Sequence, residues 1–273
     1  MIYFENHFYD QAALSLSTNN RGWLYGDGFF ETMIADTQQV RFWASHWARF
    51  VQAIKAFQLK QPSHLTSSYL QDIIQQMIRR TASSTLYRIK WMVWRADGGR
   101  YTPQQHQLQY MLISEPTTYQ LQPIRSAMAY RDMSLYYTPV SAFKTLSALP
   151  YVMAGIFKAQ IQVDEVLLLD VNGYVSECLA SNIFWLKDNT LYTPAPEAGC
   201  VVGVMRHQII EWATQNKLNC REGLFTWEQL LTAEAVFVSN VSGIRAVLQI
   251  ANKSYALHPL VDRLQADLCG LPQ

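Results

Sequence analysis

The sequence predicts an α+β fold in two domains, on three observations. Helix-period and strand-period runs occur together in both halves of the chain. A polar stretch without period and with two prolines, residues 115–123, separates the halves as a linker. The chain has 273 residues, 49% hydrophobic and 16% charged, enough to give each half its own core. The expected domains are therefore 1–114, small and N-terminal, and 124–273, larger and C-terminal.

Local pattern supplies the elements in order. MIYFENHFYD reads as a strand pair around a turn at Glu5 and Asn6. Residues 42–57 read as a helix: Ser45 is a plausible N-cap, and Phe50, Val51, Ile54 and Phe57 share a face. Leu70, Ile73, Ile74, Met77 and Ile78 mark a second helix, with cap candidates in 66–68. Strands at 86–95 and 108–114 flank the turn cluster ADGGRYTP. In the second half a strand at 124–131 is followed by a helix just after Lys144 and a strand at 165–170. A turn at Asn172 and Gly173, a strand at 182–186 and another around Leu191 and Tyr192 come next. A helix over 203–216, a short one capped by a Thr226/Gln229 box, a strand at 235–239 and a last helix at 259–268 complete the reading.

Composition narrows the function classes. Net charge is +1 with no basic stripe, which argues against nucleic acid as a partner. No apolar run approaches the roughly 20 residues that span a bilayer, and the N-terminus has no basic, then apolar, export signal. The four cysteines, Cys178, Cys200, Cys220 and Cys269, form no CxxC and have no histidine at ligand spacing. Reduced thiols in a cytoplasmic protein without a metal site are the expectation.

Three features could carry chemistry. Lys144, in SAFKTLSALPY, has Phe143, Leu146 and Leu149 as apolar neighbours, and such surroundings favour the neutral amine that a nucleophile needs. Taken alone, a lysine beside a helix is more often a surface group. Glu177 sits where a short strand runs into small and polar residues, suggesting a carboxylate aimed inward; a solvated strand-end glutamate is the alternative. GCVVGVMRHQII brings a glycine-bracketed loop into a helix whose first amides, at Val204 and Met205, suit a phosphate. Arg49, in the first long helix, could neutralise such an anion or lie exposed. No GxGxxG or GxxxxGK[ST] supports a dinucleotide or P-loop site.

In their order, these pieces resemble the class IV aminotransferase family, the fold-type IV pyridoxal-phosphate enzymes. RGWLYGDGFFET resembles the signature R-G-x-x-Y/F-G-D-G-x-F-E, and HWARF resembles H-x-x-R-L. KTLSALPYVMA resembles the lysine segment. NGYVSECLASNIF with LYTP resembles G-x-V-x-E-x-x-x-S-N-I-F … L-x-T-P. VVGVMR resembles L-x-G-I-T-R, and VFVSNVSGIRAV the last active-site loop. The resemblance spans nearly the whole chain. It implies a D-amino acid/branched-chain aminotransferase-like fold with pyridoxal 5'-phosphate in the interdomain cleft, in a homodimer acting on a small-molecule amine. It further implies that Lys144 forms the Schiff base and then moves the proton, that Glu177 pairs with the pyridine nitrogen, and that Arg49 meets the phosphate. Ser181, Val201, Val204, Met205 and Asn240 join the cofactor set. Three positions depart from the pattern: Met205 for threonine, Cys178 for glycine and Ser147 for asparagine.

Within the family, VWRADGGRYTP resembles the S-R-G-x-G-G-R-G-Y-x-P turn of aminodeoxychorismate lyases, and SNVSGIRAV resembles their T-N-S-x-x-G-I-R-P-V. The implied substrate residues are Tyr25, Glu31, Thr32, Arg95 and Arg100. The implied reaction converts 4-amino-4-deoxychorismate to 4-aminobenzoate and pyruvate, with transamination of a D-amino or branched-chain acid as the alternative.

Overall fold

The computed structural model describes residues 1–10, 14–81, 84–119 and 121–270. The chain divides into two units, Met1–Thr118 with Phe143–Ser147, and Tyr119–Ala142 with Ala148–Gln273. The division departs from the expected boundaries at two places. The strand that precedes the linker runs on through Glu115 and Pro116, which pair with Arg88 and Tyr87. The segment around Lys144 groups with the first unit although sequence order placed it in the second. Gln120 of the linker lies outside the described residues.

The first unit is an antiparallel sheet of β1 (Ile2–Phe4), β2 (His7–Tyr9), β3 (Gly28–Ala35), β4 (Tyr87–Arg95) and β5 (Leu108–Pro116), in the order β2-β1-β5-β4-β3. Side chains alternate across it. Phe29 and Met33 of β3, Ile89 and Trp91 of β4 and Leu112 of β5 are buried with helices α2 (Trp43–Ala56) and α3 (Ser67–Thr81). Phe50 packs on Trp91 at 4.2 Å between ring centroids. Helix α2 begins at Trp43 with Phe42 as its cap, so Ser45 is a helical residue rather than the N-cap. Thr66 does cap α3, accepting from the Tyr69 amide at 3.2 Å.

A short helix, α1 (Arg21–Tyr25), precedes β3 and went unrecognised in the sequence, being too short to show a period. Arg21 fixes it, with Nε donating to Asp27 and Nη1 to the carbonyls of Gly98, Gly99 and Arg100. Residues 143–147 add to the β3 edge. The Phe30 amide donates to the Lys144 carbonyl at 2.8 Å, and the Leu146 amide to the Gly28 carbonyl at 2.9 Å.

The second unit has two five-stranded sheets among its described residues. One contains β6 (Ala127–Leu135), β7 (Glu165–Asp170), β8 (Val175–Cys178), β14 (Gln249–Ile250) and β15 (Lys253–Ser254). The other contains β9 (Asn182–Lys187), β10 (Thr190–Pro194), β11 (Asn219–Gly223), β12 (Ala235–Asn240) and β13 (Gly243–Val247). Helices α4 (Leu149–Ile161), α5 (Val204–Gln215), α6 (Trp227–Leu231) and α7 (Pro259–Cys269) accompany them. Helix α4 starts five residues beyond Lys144, later than its sequence suggests, with Pro150 in its first turn. The Thr226/Gln229 capping box on α6 is present as read. Three residues, 179–181, carry the chain from β8 of one sheet to β9 of the other, closed by a 2.8 Å bond from the Cys178 amide to the Ser181 carbonyl. No helix among the described residues is long and apolar enough to cross a membrane.

Gly28 faces the β4 backbone so closely that a methyl group there would collide with the Val93 carbonyl and lie 2.8 Å from the Trp94 Cα. Gly28→Ala must therefore push β3 off β4, and we expect a loss of about 1–3 kcal/mol in urea unfolding, the usual cost of overpacking. An unchanged midpoint would show that β3 has slack at this position.

Candidate active site

The sequence-implied residues fall into three groups. In the first, strand β3 sets the division. Because its residues alternate, Glu31 lies on the buried face with Phe29 and Met33, whereas Phe30 and Thr32 point to the other side. Glu31 is 2% exposed and accepts from Arg49 Nε at 2.7 Å and Nη2 at 2.6 Å, with His46 Nδ1 at 2.7 Å. A substrate contact for Glu31, implied by the resemblance, is corrected: the carboxylate is enclosed by helix α2. Arg49 is likewise buried, and two of its donors are bound to that carboxylate. Burial alone would raise the Glu31 carboxyl, but the Arg49 charge and the His46 and Arg49 hydrogen bonds outweigh it and hold the group at about 2. Burial pushes His46 down from its ordinary range, against the pull of Glu31.

Arg95 is corrected in the same way. Its guanidinium donates to Asp27, to the carbonyls of Phe57 and Gln58, and meets His106 Nδ1 at 2.8 Å. This buried fork joins β4 to the loop after α2 and leaves the substrate role implied for Arg95 without support. Arg100 stays exposed, its carbonyl held by Arg21, and the Tyr25 ring lies 5.8 Å from Tyr101 beside it.

The other face of β3 forms the second group. Lys144 Nζ lies 5.7 Å from the Phe30 ring centroid, and Lys90 Nζ lies 4.9 Å from the same ring. Lys90 pairs in register with Thr32 across β3 and β4. Burial, then the nearby Arg88 charge, pushes the Lys90 ammonium below its ordinary range. Lys90 and Phe30 went unselected at the sequence level, although the two-residue alternation that links Thr32 to Phe30 was legible there.

The third group lies wholly in the second unit. Glu177, at the end of β8, is 4% exposed and accepts from the Tyr151 hydroxyl at 2.6 Å and the Val201 amide at 3.2 Å. The β8–β9 crossing brings Ser181 and Asn182 next to it in the chain. Asn240, at the end of β12, donates to Ser181 Oγ and to the Ala180 carbonyl, both at 3.1 Å. Asn182 Nδ2 donates to the Val201 carbonyl at 2.7 Å, and a methyl on Gly203 would collide with the Asn182 amide oxygen. Val204 and Met205 follow as the first residues of α5, where amides have no intrahelical acceptor. Glu177 and Val201, and Ser181 and Asn240, are thus joined by direct contacts, with Asn182 bonded to Val201 and with Val204 and Met205 following in the chain. Asn182 and Tyr151, each inside a quoted motif, are members that the sequence reading did not select as site residues.

The donor set suits a phosphorylated pyridine. Buried Glu177, which accepts from a phenol and an amide, is a carboxylate fit to face a ring N–H. The opening of α5 offers amides and the positive end of the helix dipole to a phosphate. A methionine at 205 still provides its amide, though not a hydroxyl. No cluster of three or more metal-ligating side chains occurs among the described residues.

The Glu31 cluster carries a pH signature. A carboxyl held at about 2 against an ordinary 4.5 contributes stability above pH 4.5 that is lost as pH falls toward 2. A histidine held neutral contributes stability above its ordinary 6.5 that is lost below it. Denaturant midpoints should therefore fall from pH 7 to 5 and again below 4.5. Glu31→Gln should cost about 3–5 kcal/mol at pH 7, leaving Arg49 with a neutral partner, and flatten the lower limb. A lower limb of unchanged slope would assign the acid sensitivity elsewhere.

Known proteins resemble this chain in sequence and in fold. Over 251 residues the chain is 28% identical to a putative branched-chain-amino-acid aminotransferase of Methanocaldococcus jannaschii, covering 88% of this chain and 84% of the relative. It is also 28% identical over 266 residues to an aminodeoxychorismate lyase of Vibrio harveyi, covering 91% and 94%. The crystal structure of a putative 4-amino-4-deoxychorismate lyase from Legionella pneumophila superimposes with a TM-score of 0.85 at 24% identity, over 96% of this chain and 97% of that one. The sequence profile described as "Amino-transferase class IV" matches residues 28–250. The chain therefore belongs to the class IV aminotransferase family and is a pyridoxal 5'-phosphate-dependent enzyme.

Proposed function

We propose that this enzyme is a lyase that converts 4-amino-4-deoxychorismate to 4-aminobenzoate and pyruvate. One observation carries the reading: on the face of β3 where Lys144 lies over Phe30, the neighbours are the Thr32 and Lys90 pair. A hydroxyl and a second ammonium suit a substrate with two carboxylates, whereas a branched aliphatic side chain needs an apolar wall. Similarity over 94% of the length of the Vibrio harveyi lyase supports the same assignment.

In this reading, pyridoxal phosphate supplies an electron sink for the bond broken at the amine-bearing carbon. With the cofactor bound, Lys144 would hold its aldehyde carbon, and once a substrate amine took that place its Nζ would be the base for the proton on the amine-bearing carbon. Glu177 holds the ring N–H. Ser181, Asn240 and the amides of Val201, Val204 and Met205 orient the phosphate end, with Arg49 contributing charge from its buried pair. Lys90 and Arg100 draw in the substrate carboxylates, and Tyr25 lies beside them. The electron pair left by that proton would aromatise the ring as the C–O bond to the enolpyruvyl group breaks; the departing enolate takes up one proton and leaves as pyruvate, which makes the step irreversible in practice.

A homodimer belongs to the same reading. The exposure of Trp23 and Tyr101, at 83% and 92%, supports a covered aromatic surface there. A cytoplasmic location is part of it too, supported by four free cysteines.

Product analysis decides between the reactions. Purified enzyme given aminodeoxychorismate should release 4-aminobenzoate and pyruvate in equal amounts. Keto acid from D-alanine or a branched-chain amino acid plus 2-oxoglutarate, with no 4-aminobenzoate, would establish the transaminase instead. Lys144→Ala should abolish the visible cofactor band and lower kcat on the order of 1,000-fold or more. Lys90→Met should raise KM about tenfold or more with the cofactor band intact; an unchanged KM would remove Lys90 from the substrate site.

A further inference from the structure

Tyr151 stands in the first turn of α4, and its ring packs with the cluster built on Tyr130, Leu135, Ala154, Val166 and Leu168. That packing fixes the ring, so the hydroxyl is delivered to one place, Glu177 Oε1 at 2.6 Å. The length is that of an O–H donor to an ionised carboxylate. Glu177 Oε2 is held separately by the Val201 amide at 3.2 Å, from the loop that leads into α5. A phenol and a main-chain amide, from two different elements, thus orient the carboxylate.

The neighbouring titratable groups keep this arrangement constant with pH. Burial first, then the Glu177 charge, push the Tyr151 phenol well above the ordinary tyrosine range, so it donates throughout the working range. Cys200, from the loop facing Glu177, is pushed up to about 12 by burial and by the same charge, and stays a neutral thiol. Arg206 acts on that thiol from α5 while donating to the Pro194 carbonyl and Glu222.

We propose that Tyr151 is a positioning residue that sets the orientation and basicity of Glu177, and through it the protonation of the bound cofactor. This inference rests on the reading that Glu177 pairs with the cofactor ring nitrogen. A carboxylate relieved of a strong donor becomes a better proton acceptor, so the ring nitrogen opposite it would hold its proton less firmly. The cofactor would then be less positive, and its other titrating nitrogen more basic.

The test uses the holoenzyme and its visible cofactor band. Tyr151→Phe keeps the ring and its packing while removing the hydroxyl. It should move the pH midpoint of the band upward by about 0.5 unit or more and weaken pyridoxal phosphate binding about tenfold. kcat should fall more than KM rises, because the phenol does not touch substrate. Difluorotyrosine placed at 151, a stronger donor of nearly the same shape, should move the midpoint downward. This second variant answers the question even if the phenylalanine protein folds poorly, since a purely structural role would give no opposite shift.

Glu177→Gln, measured in parallel, separates the two ideas. If it leaves band and affinity unchanged, the pairing of Glu177 with the ring is wrong. If it alters both while the phenylalanine and difluorotyrosine proteins keep the wild-type midpoint, the pairing stands and the role of Tyr151 is overturned.

Discussion

The backbone pairing between residues 143–147 and the edge of β3 is the constraint on which the position of Lys144 depends. Two hydrogen bonds, to the Lys144 carbonyl and from the Leu146 amide, make this short segment an extension of the first unit's sheet. They place the lysine over Phe30 and leave its chain position free of helix α4, which starts only at Leu149. Gly28 permits the approach, since β3 must lie close against β4 at the point where the segment joins it. A residue held by main-chain bonds on a sheet edge has its backbone position fixed by the sheet itself.

Behind the same strand lies a buried charge that the sheet must neutralise. Glu31 faces inward because it alternates with Phe30, and helix α2 answers it with a bidentate arginine and a histidine. A lone carboxylate at that depth would be far more costly than the pair. The cluster ties α2 to β3 and fixes the attitude of Arg49, so a residue implied for phosphate recognition is also part of the unit's interior. Asp27 repeats the device at the start of β3, accepting from Arg21 and Arg95. Through Arg21 the 98–100 carbonyls are gathered against α1.

The second unit reaches its part of the chemistry by a corner. The chain leaves one sheet at Cys178 and enters the next at Asn182, so Glu177, Ser181 and Asn182 are adjacent without any long loop. β12 delivers Asn240 to the same corner, since Ser239 pairs with Asn182 across the sheet. The loop before α5 is held there by Asn182 and by Glu177 itself. The Cys178 side chain turns into the core of this unit.

Much of this was legible in the linear sequence, for identifiable reasons. The α2 and α3 helices, the β4 and β5 strands and the α6 capping box are local patterns of period and cap chemistry, and such patterns need no tertiary partner to be read. Family membership was legible because six motifs keep their order along the chain. Tertiary structure alone decided where each motif residue lies and what it touches. Glu31 and Thr32 are neighbours in sequence, yet one is entombed and the other shares a face with Lys90, because strand geometry sends consecutive side chains to opposite sides. Arg95 looked like a substrate arginine and is a buried fork, since its donors find carbonyls from a loop nearly forty residues earlier. Tyr151 lay inside the lysine segment without a role assigned to it. Its contact with Glu177 joins positions 26 residues apart, and only the packing of α4 on its sheet creates it. Lys144 was chosen by its order among motifs, and the sheet edge that holds it became visible only once the chain was folded.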